Sequence, residues 1–225
     1  MESIKVSLFD IFAYTLPGLF VLVGILILAD ESIKNIVDLT IMLNNLGIGS
    51  SAMAVLTAFV IGFAVDSLGN LYYRFSCKIG ENPMEDTRKE FNIDRQKDLQ
   101  LQQIVRDKSP SVNALLQTWR LLKSVSRNLA FTFLLLTIIT LLKTNFFVVG
   151  NSIEWYLLSG GCFVLSLILT GRAKRFDKWF YQDLFNTGIA LRLIVLDDGL
   201  KGIKTLSSSD HKKQYHKVKA KDQQK

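Results

Sequence analysis

"SAMAVLTAFVIGFAVDSLGNLYY", Ser51 to Tyr73, is free of charge along its whole length except for one carboxylate, Asp66, two thirds of the way through. At ~1.5 Å per residue, a helix of this length covers a hydrocarbon layer ~30 Å thick. The fold therefore turns on whether the stretch crosses a membrane despite Asp66. Three other blocks answer it. "IFAYTLPGLFVLVGILILA", Ile11 to Ala29, carries no charge; the run from Leu129 to about Gly150 carries only Lys143; Trp155 to Gly171 is uncharged and short. An amphipathic soluble core would spread its apolar residues at helical spacing, whereas here they collect in four blocks. The sequence predicts an all-α integral membrane protein with four transmembrane helices. No small-x-small cleavage pattern stands near Ala29, so the first block reads as a retained anchor.

Charge sets the orientation. Of 27 Lys and Arg, 11 lie from Arg74 to Arg127, 13 follow Gly171 and Lys5 precedes the first block, leaving only Lys34 and Lys143 for the other connections. The positive-inside rule places both termini and the central loop in the cytoplasm, an N-in/C-in arrangement with helical cytoplasmic extensions. The net charge of +7 is thereby a topology signal, and nucleic acid is not expected as a direct partner. The expected organisation is transmembrane helices 1 and 2 with an outer amphipathic connection over 1–73, a helical cytoplasmic segment over 74–127, and transmembrane helices 3 and 4 over 128–171. An amphipathic cytoplasmic segment over 172–205 and a basic, disordered tail over 206–225 complete it. In the outer connection, Ile33, Ile36, Val37 and Ile41 recur at helical spacing and predict a short helix on the membrane surface.

Within the second block Ala54, Ala58, Gly62, Asp66 and Asn70 recur every fourth residue, with Gly69 beside them. Small residues at this spacing let another helix approach closely, so Ala54, Ala58, Gly62 and Gly69 are the expected helix-packing positions. Asp66 lies about 12 Å from the end marked by Arg74, and Pro17 sits at a similar depth in the first block. Asp10, Tyr14, Pro17, Asp66 and Asn70 are therefore expected to form one polar layer, with Tyr14 and the snorkelling Arg127 or Arg172 as candidate partners for the acid. The simpler reading of this layer is a hydrogen-bonded packing cluster, and the alternative is an ion path or gate. Lys143 either ends the third span or snorkels from within it.

The cytoplasmic segments carry a second kind of signal. Ser109 suits an N-cap and Pro110 the first helical position, so a helix is predicted to start there and run unbroken into the third span. Leu115, Trp119 and Leu122 form a stripe on it that lipid does not cover, calling for the Glu85 to Lys108 segment, a second subunit, or both. After the fourth span, Phe176, Trp179 and Phe180 gather on one side of a helix, either to anchor at the interface or to dock a cytoplasmic partner. "IALRLIVLDDG" reads as a short strand or helix.

Catalytic patterns are missing from the sequence. His211 and His216 are five apart with no thiol or acidic ligand cluster, Asp197 and Asp198 beside Gly199 suit a turn, and neither a phosphate-binding glycine loop nor a nucleophile turn is present. The chain reads as no enzyme, with no cofactor and no metal site.

"DIFAYTLPGLFVL" with Tyr14, Pro17 and Gly18, then "IGFAVDSLGNLYYR" and a charged cytoplasmic loop, resembles the small four-span bacterial membrane proteins of phage-defence operons. The membrane component of the Kiwa system is the nearer likeness and the accessory membrane proteins of type VI-B CRISPR loci the second. The resemblance implies a homo-oligomeric, multi-pass subunit of the bacterial inner membrane that senses phage attachment and acts through a cytoplasmic partner encoded nearby. A pore-forming or membrane-depolarising effector is the alternative, and a small transporter a more distant one.

Overall fold

The computed structural model describes residues 2–45, 47–91, 93, 95–147, 149–191, 194–196 and 203–205. Asp197, Asp198, both histidines and the basic tail lie outside the described residues, as does the side chain of Asp10.

Among the described residues, seven helices and one antiparallel strand pair follow in order: α1 Glu2–Ala29, α2 Ile36–Asn44, α3 Ile48–Ile79, α4 Pro83–Phe91, α5 Arg95–Lys108, α6 Pro110–Phe146, α7 Ser152–Ala190, β1 Ile194–Leu196 and β2 Ile203–Thr205. Four are long and apolar enough to cross a membrane: α1 over Ile11–Ala29, α3, α6 and α7. At 37 and 39 residues, α6 and α7 reach about 55 to 60 Å, nearly twice the hydrocarbon thickness. The chain is thus helical with four membrane-crossing helices, as its apolar blocks predict. "IVL", which the sequence left between helix and strand, pairs antiparallel with "IKT", Ile194 opposite Thr205.

Local chemistry explains the boundaries. The Ser109-Pro110 pair opens α6, with the Ser109 carbonyl accepting the Asn113 N–H at 3.0 Å. Proline occupies a first-turn position where its missing donor has no partner to lose. Pro83 opens α4 in the same way, and the Asn82 side chain donates to Glu85 at 3.1 Å. Pro17 is retained inside α1.

The chain divides into two compact units. The first holds Met1–Glu81 and Arg120–Phe176, and its buried cluster of Ile27, Ile33, Ile139 and Trp155 draws on α1, α6, α7 and the turn before α2. The second holds Asn82–Trp119 and the described residues from Asp177 onward. Its core is Ile93, Leu101, Val105, Leu116, Phe180, Tyr181, Leu184 and Phe185. Full burial of each such side chain contributes about 1.5–3 kcal/mol, which suffices to bring the polar helices α4 and α5 onto α6 and α7. Inside it, Asp98 is buried and held by the Arg88 guanidinium, and that guanidinium also lies 5.7 Å from the Tyr181 ring centre.

Candidate functional site

The small-residue row of α3 meets two neighbours. Its upper part touches α1: a Cβ added to Gly18 would fall on the carbonyl oxygen of Ala58, and one added to Gly62 on the backbone of Tyr14. Only glycine permits backbones this close. Around that contact Tyr14 stacks on Phe63 at 4.7 Å and meets Phe59 edge-on at 6.2 Å. Ala13, Pro17 and Gly18 are buried, and Ala54 is half-buried.

The lower part meets α6. Asp66 Oδ1 accepts from Arg127 Nη2 at 2.6 Å, Asn128 Nδ2 at 2.8 Å and Ser124 Oγ at 3.2 Å. Arg127 Nη1 donates to Asn70 Oδ1 at 3.2 Å, and its Nη2 also donates to Ser124 Oγ at 3.1 Å. Gly69 makes room for this, since a Cβ there would lie 2.7 Å from Asn128 Oδ1. One turn on, Tyr72 reaches α7, its hydroxyl 3.1 Å from Thr170 Oγ1 and 3.5 Å from Ser166 Oγ. Ser166 in turn donates to the Ala130 carbonyl at 2.7 Å. A charge-assisted pair carrying two further hydrogen bonds on one carboxylate oxygen fixes the geometry, since ionised partners make the shorter and stronger bonds.

Of the expected polar layer, Asp66 and Asn70 share the Arg127 guanidinium, one of the candidate partners named for the acid, and the other donors to Asp66 come from the same helix. Tyr14 belongs to the α1–α3 contact, Pro17 is buried within α1, and Arg172 is exposed on α7. Ser124 and Asn128 were missed. The signal was present in "SVSRN", Ser124 to Asn128, a polar cluster at the start of an apolar run.

At its other end α6 carries a second buried cation. Lys143 is 1% exposed and donates to the Asp30 carbonyl at 2.8 Å, with its Nζ 5.0 Å from the Phe147 ring centre. It lies in the last turn of α6, which continues to Phe146, and its ammonium reaches the carbonyl just beyond the end of α1. Trp155 Nε1 and the Gly150 N–H both donate to the Lys34 carbonyl, at 2.9 and 3.2 Å. Beside them the Ser32 hydroxyl and backbone N–H, donating to Asp30, hold its carboxyl below the ordinary carboxylate range.

Between α6 and α7 the hydroxyls bond to backbone. Thr137 Oγ1 donates to the carbonyls of Phe133 and Ser159, at 2.9 and 3.4 Å, and Ser159 Oγ answers to the Thr137 carbonyl at 3.3 Å.

The aromatic positions separate. Trp119 and Trp179 lie in the second unit with ring centres 5.2 Å apart, and Trp119 Nε1 donates to Asp183 at 2.9 Å. Phe180 is buried in the same unit's core, where Leu116 rather than its neighbour Leu115 supplies the α6 contact. Leu115 and Trp179 are each 43% exposed. Leu122 and Phe176 belong to the first unit and are half-buried.

Compared with protein-family models, curated proteins and solved structures, the chain matches none.

Proposed function

We propose that this multi-pass membrane protein is an oligomeric sensor and scaffold subunit of the bacterial inner membrane, with both termini cytoplasmic, that serves an antiviral defence system through a cytoplasmic partner protein. The observation that carries the reading is the Asp66–Arg127 pair. An acid that served a permeating ion would be left open to it; this one is neutralised within the chain by a guanidinium and two further donors. The hydroxyls between α6 and α7 are likewise engaged with backbone carbonyls, which suits a joint better than a path.

The remaining elements of the reading have their own supports. The lysine and arginine distribution favours the N-in/C-in orientation. The likeness to the Kiwa membrane component supplies the antiviral setting. Exposed Leu115, Leu99 and Trp179 on the second unit offer a partner the aromatic and aliphatic anchors that such contacts favour.

Co-expression with the cytoplasmic protein encoded beside it, followed by affinity purification in detergent, tests this. The partner is expected to be retained by the natural chain and lost with Trp179→Ala and Leu115→Ala combined. A chain that purifies alone, with no neighbour-encoded protein bound, defeats the proposal. Ion flux in liposomes that disappears in Asp66→Asn would replace it with the pore reading.

A further inference from the structure

α2 is nine residues long and buries none of them completely. Its inward side is set by Leu39 and Met42, which pack against the Ile27, Ile33, Ile139 and Trp155 cluster. Val37 and Ile41, one turn apart and on the side away from Leu39 and Met42, are 62% and 54% exposed. The helix has one charged residue, Asp38. Its carboxylate accepts the backbone N–H groups of Asn35 and Lys34 at 2.8 and 3.0 Å, so it serves the helix start instead of soliciting water. The outward face is left uncharged, with valine and isoleucine beside Thr40 and Asn44.

Two further facts bear on what covers that face. Lys143 of α6 and Trp155 of α7 grip the carbonyls of Asp30 and Lys34 just before α2, so the helix is held at the end of the spans where α1 stops. It then continues through Gly47 directly into α3, whose opening residues Ile48, Met53 and Leu56 are exposed apolar side chains on a membrane-crossing helix. Apolar side chains exposed on a membrane-crossing helix are what acyl chains cover, and only three residues separate the end of α2 from the start of that helix.

We infer that α2 is seated in the membrane surface, with Val37 and Ile41 inserted among the lipids. On the sensor function proposed above, this lipid contact is the sensing surface. The grip of Lys143 and Trp155 on the preceding loop ties α2 to α6 and α7 within the first unit.

Spin labels on single-cysteine variants Val37→Cys and Ile41→Cys, in the full chain with Cys77→Ser and Cys162→Ser, test the contact in vesicles of phosphatidylethanolamine and phosphatidylglycerol. Collision rates with oxygen, which concentrates in lipid, are compared with those of a water-soluble nickel chelate. Both labels are expected to report oxygen-dominated collisions at a depth of about 5–10 Å, as an interfacial helix does, matching the sign found at Met53→Cys and opposite to that at Glu31→Cys. Nickel-dominated collisions at Val37 and Ile41 overturn the inference by placing the face in water. Shielding from both reagents overturns it too, because a second copy or another protein would then cover the face. The measurement does not depend on the co-purification: lipid depth without a partner removes only the sensor role, and a partner without lipid depth removes only the lipid contact.

Discussion

The upper and lower halves of one row on α3 hold their neighbours by opposite means. Above, Ala58 and Gly62 bring the α1 backbone into direct contact and aromatic rings close around it. Below, Asp66 and Asn70 bind α6 through a guanidinium, an amide and a hydroxyl. Geometry accounts for the change of partner. Residues four apart on a helix with 3.6 per turn advance about 40° at each step, so the row winds about 120° between Ala58 and Asn70. A four-residue repeat is therefore a slanting ridge, able to address two helices in turn.

The comparison is broken most forcefully at Asp66. Asp66→Leu leaves the Arg127 cation among membrane helices with its counter-charge removed, and stability in a mixed-micelle denaturation series is expected to fall by about 3 kcal/mol. Adding Arg127→Leu should recover most of the loss, since removal of both charges leaves no ion to solvate. If Asp66→Leu alone is as stable as the natural chain, the lower half is no ionic joint.

Next comes the dry half. Gly62→Leu drives a side chain into the Tyr14 backbone and is expected to destabilise by about 1–3 kcal/mol, while Gly160→Leu, whose Cβ meets no atom within 4 Å, should leave the denaturation midpoint in place. Equal effects at the two glycines would mean that the α1–α3 approach has no special demand for a missing side chain.

The smallest effect sharpens the contrast by asking what hydrogen bonds alone are worth here. Thr137→Val and Ser159→Ala remove the reciprocal hydroxyl-to-carbonyl bonds between α6 and α7, and about 0.6 kcal/mol each is expected, well below the ionic joint. A loss as large as that of Asp66→Leu would show that neutral hydroxyls carry as much of the bundle as the charge pair does.

These contrasts also mark what could be read from residues alone. The four apolar blocks revealed the membrane helices because lipid leaves so few ways to satisfy a backbone. Ser109-Pro110 revealed the start of α6 because proline is best tolerated in a helix's first turn. The partner of Asp66 was harder. Arg127 was one of three candidates, beside Tyr14 and Arg172, and the row pattern names a ridge without naming the helices it meets, so it did not choose among them. Lys143 was ambiguous for a related reason: its acceptor is a backbone carbonyl, which every residue possesses and no sequence pattern advertises. Phe180, grouped with partner-facing aromatics by its spacing, packs within its own chain because polar α4 and α5 bring enough apolar residues to enclose it.

The Asp66–Arg127 joint also imposes an order on biosynthesis. Arg127 follows Asp66 by 61 residues, which a ribosome adding ~5–20 residues per second takes about 3–12 s to deliver. For that interval the second span exists without its counter-ion, and a lone carboxylate among apolar helices is costly. The first two membrane helices are in this sense an unfinished product, because the ionic joint that ties the second to the third is made only once the third has emerged.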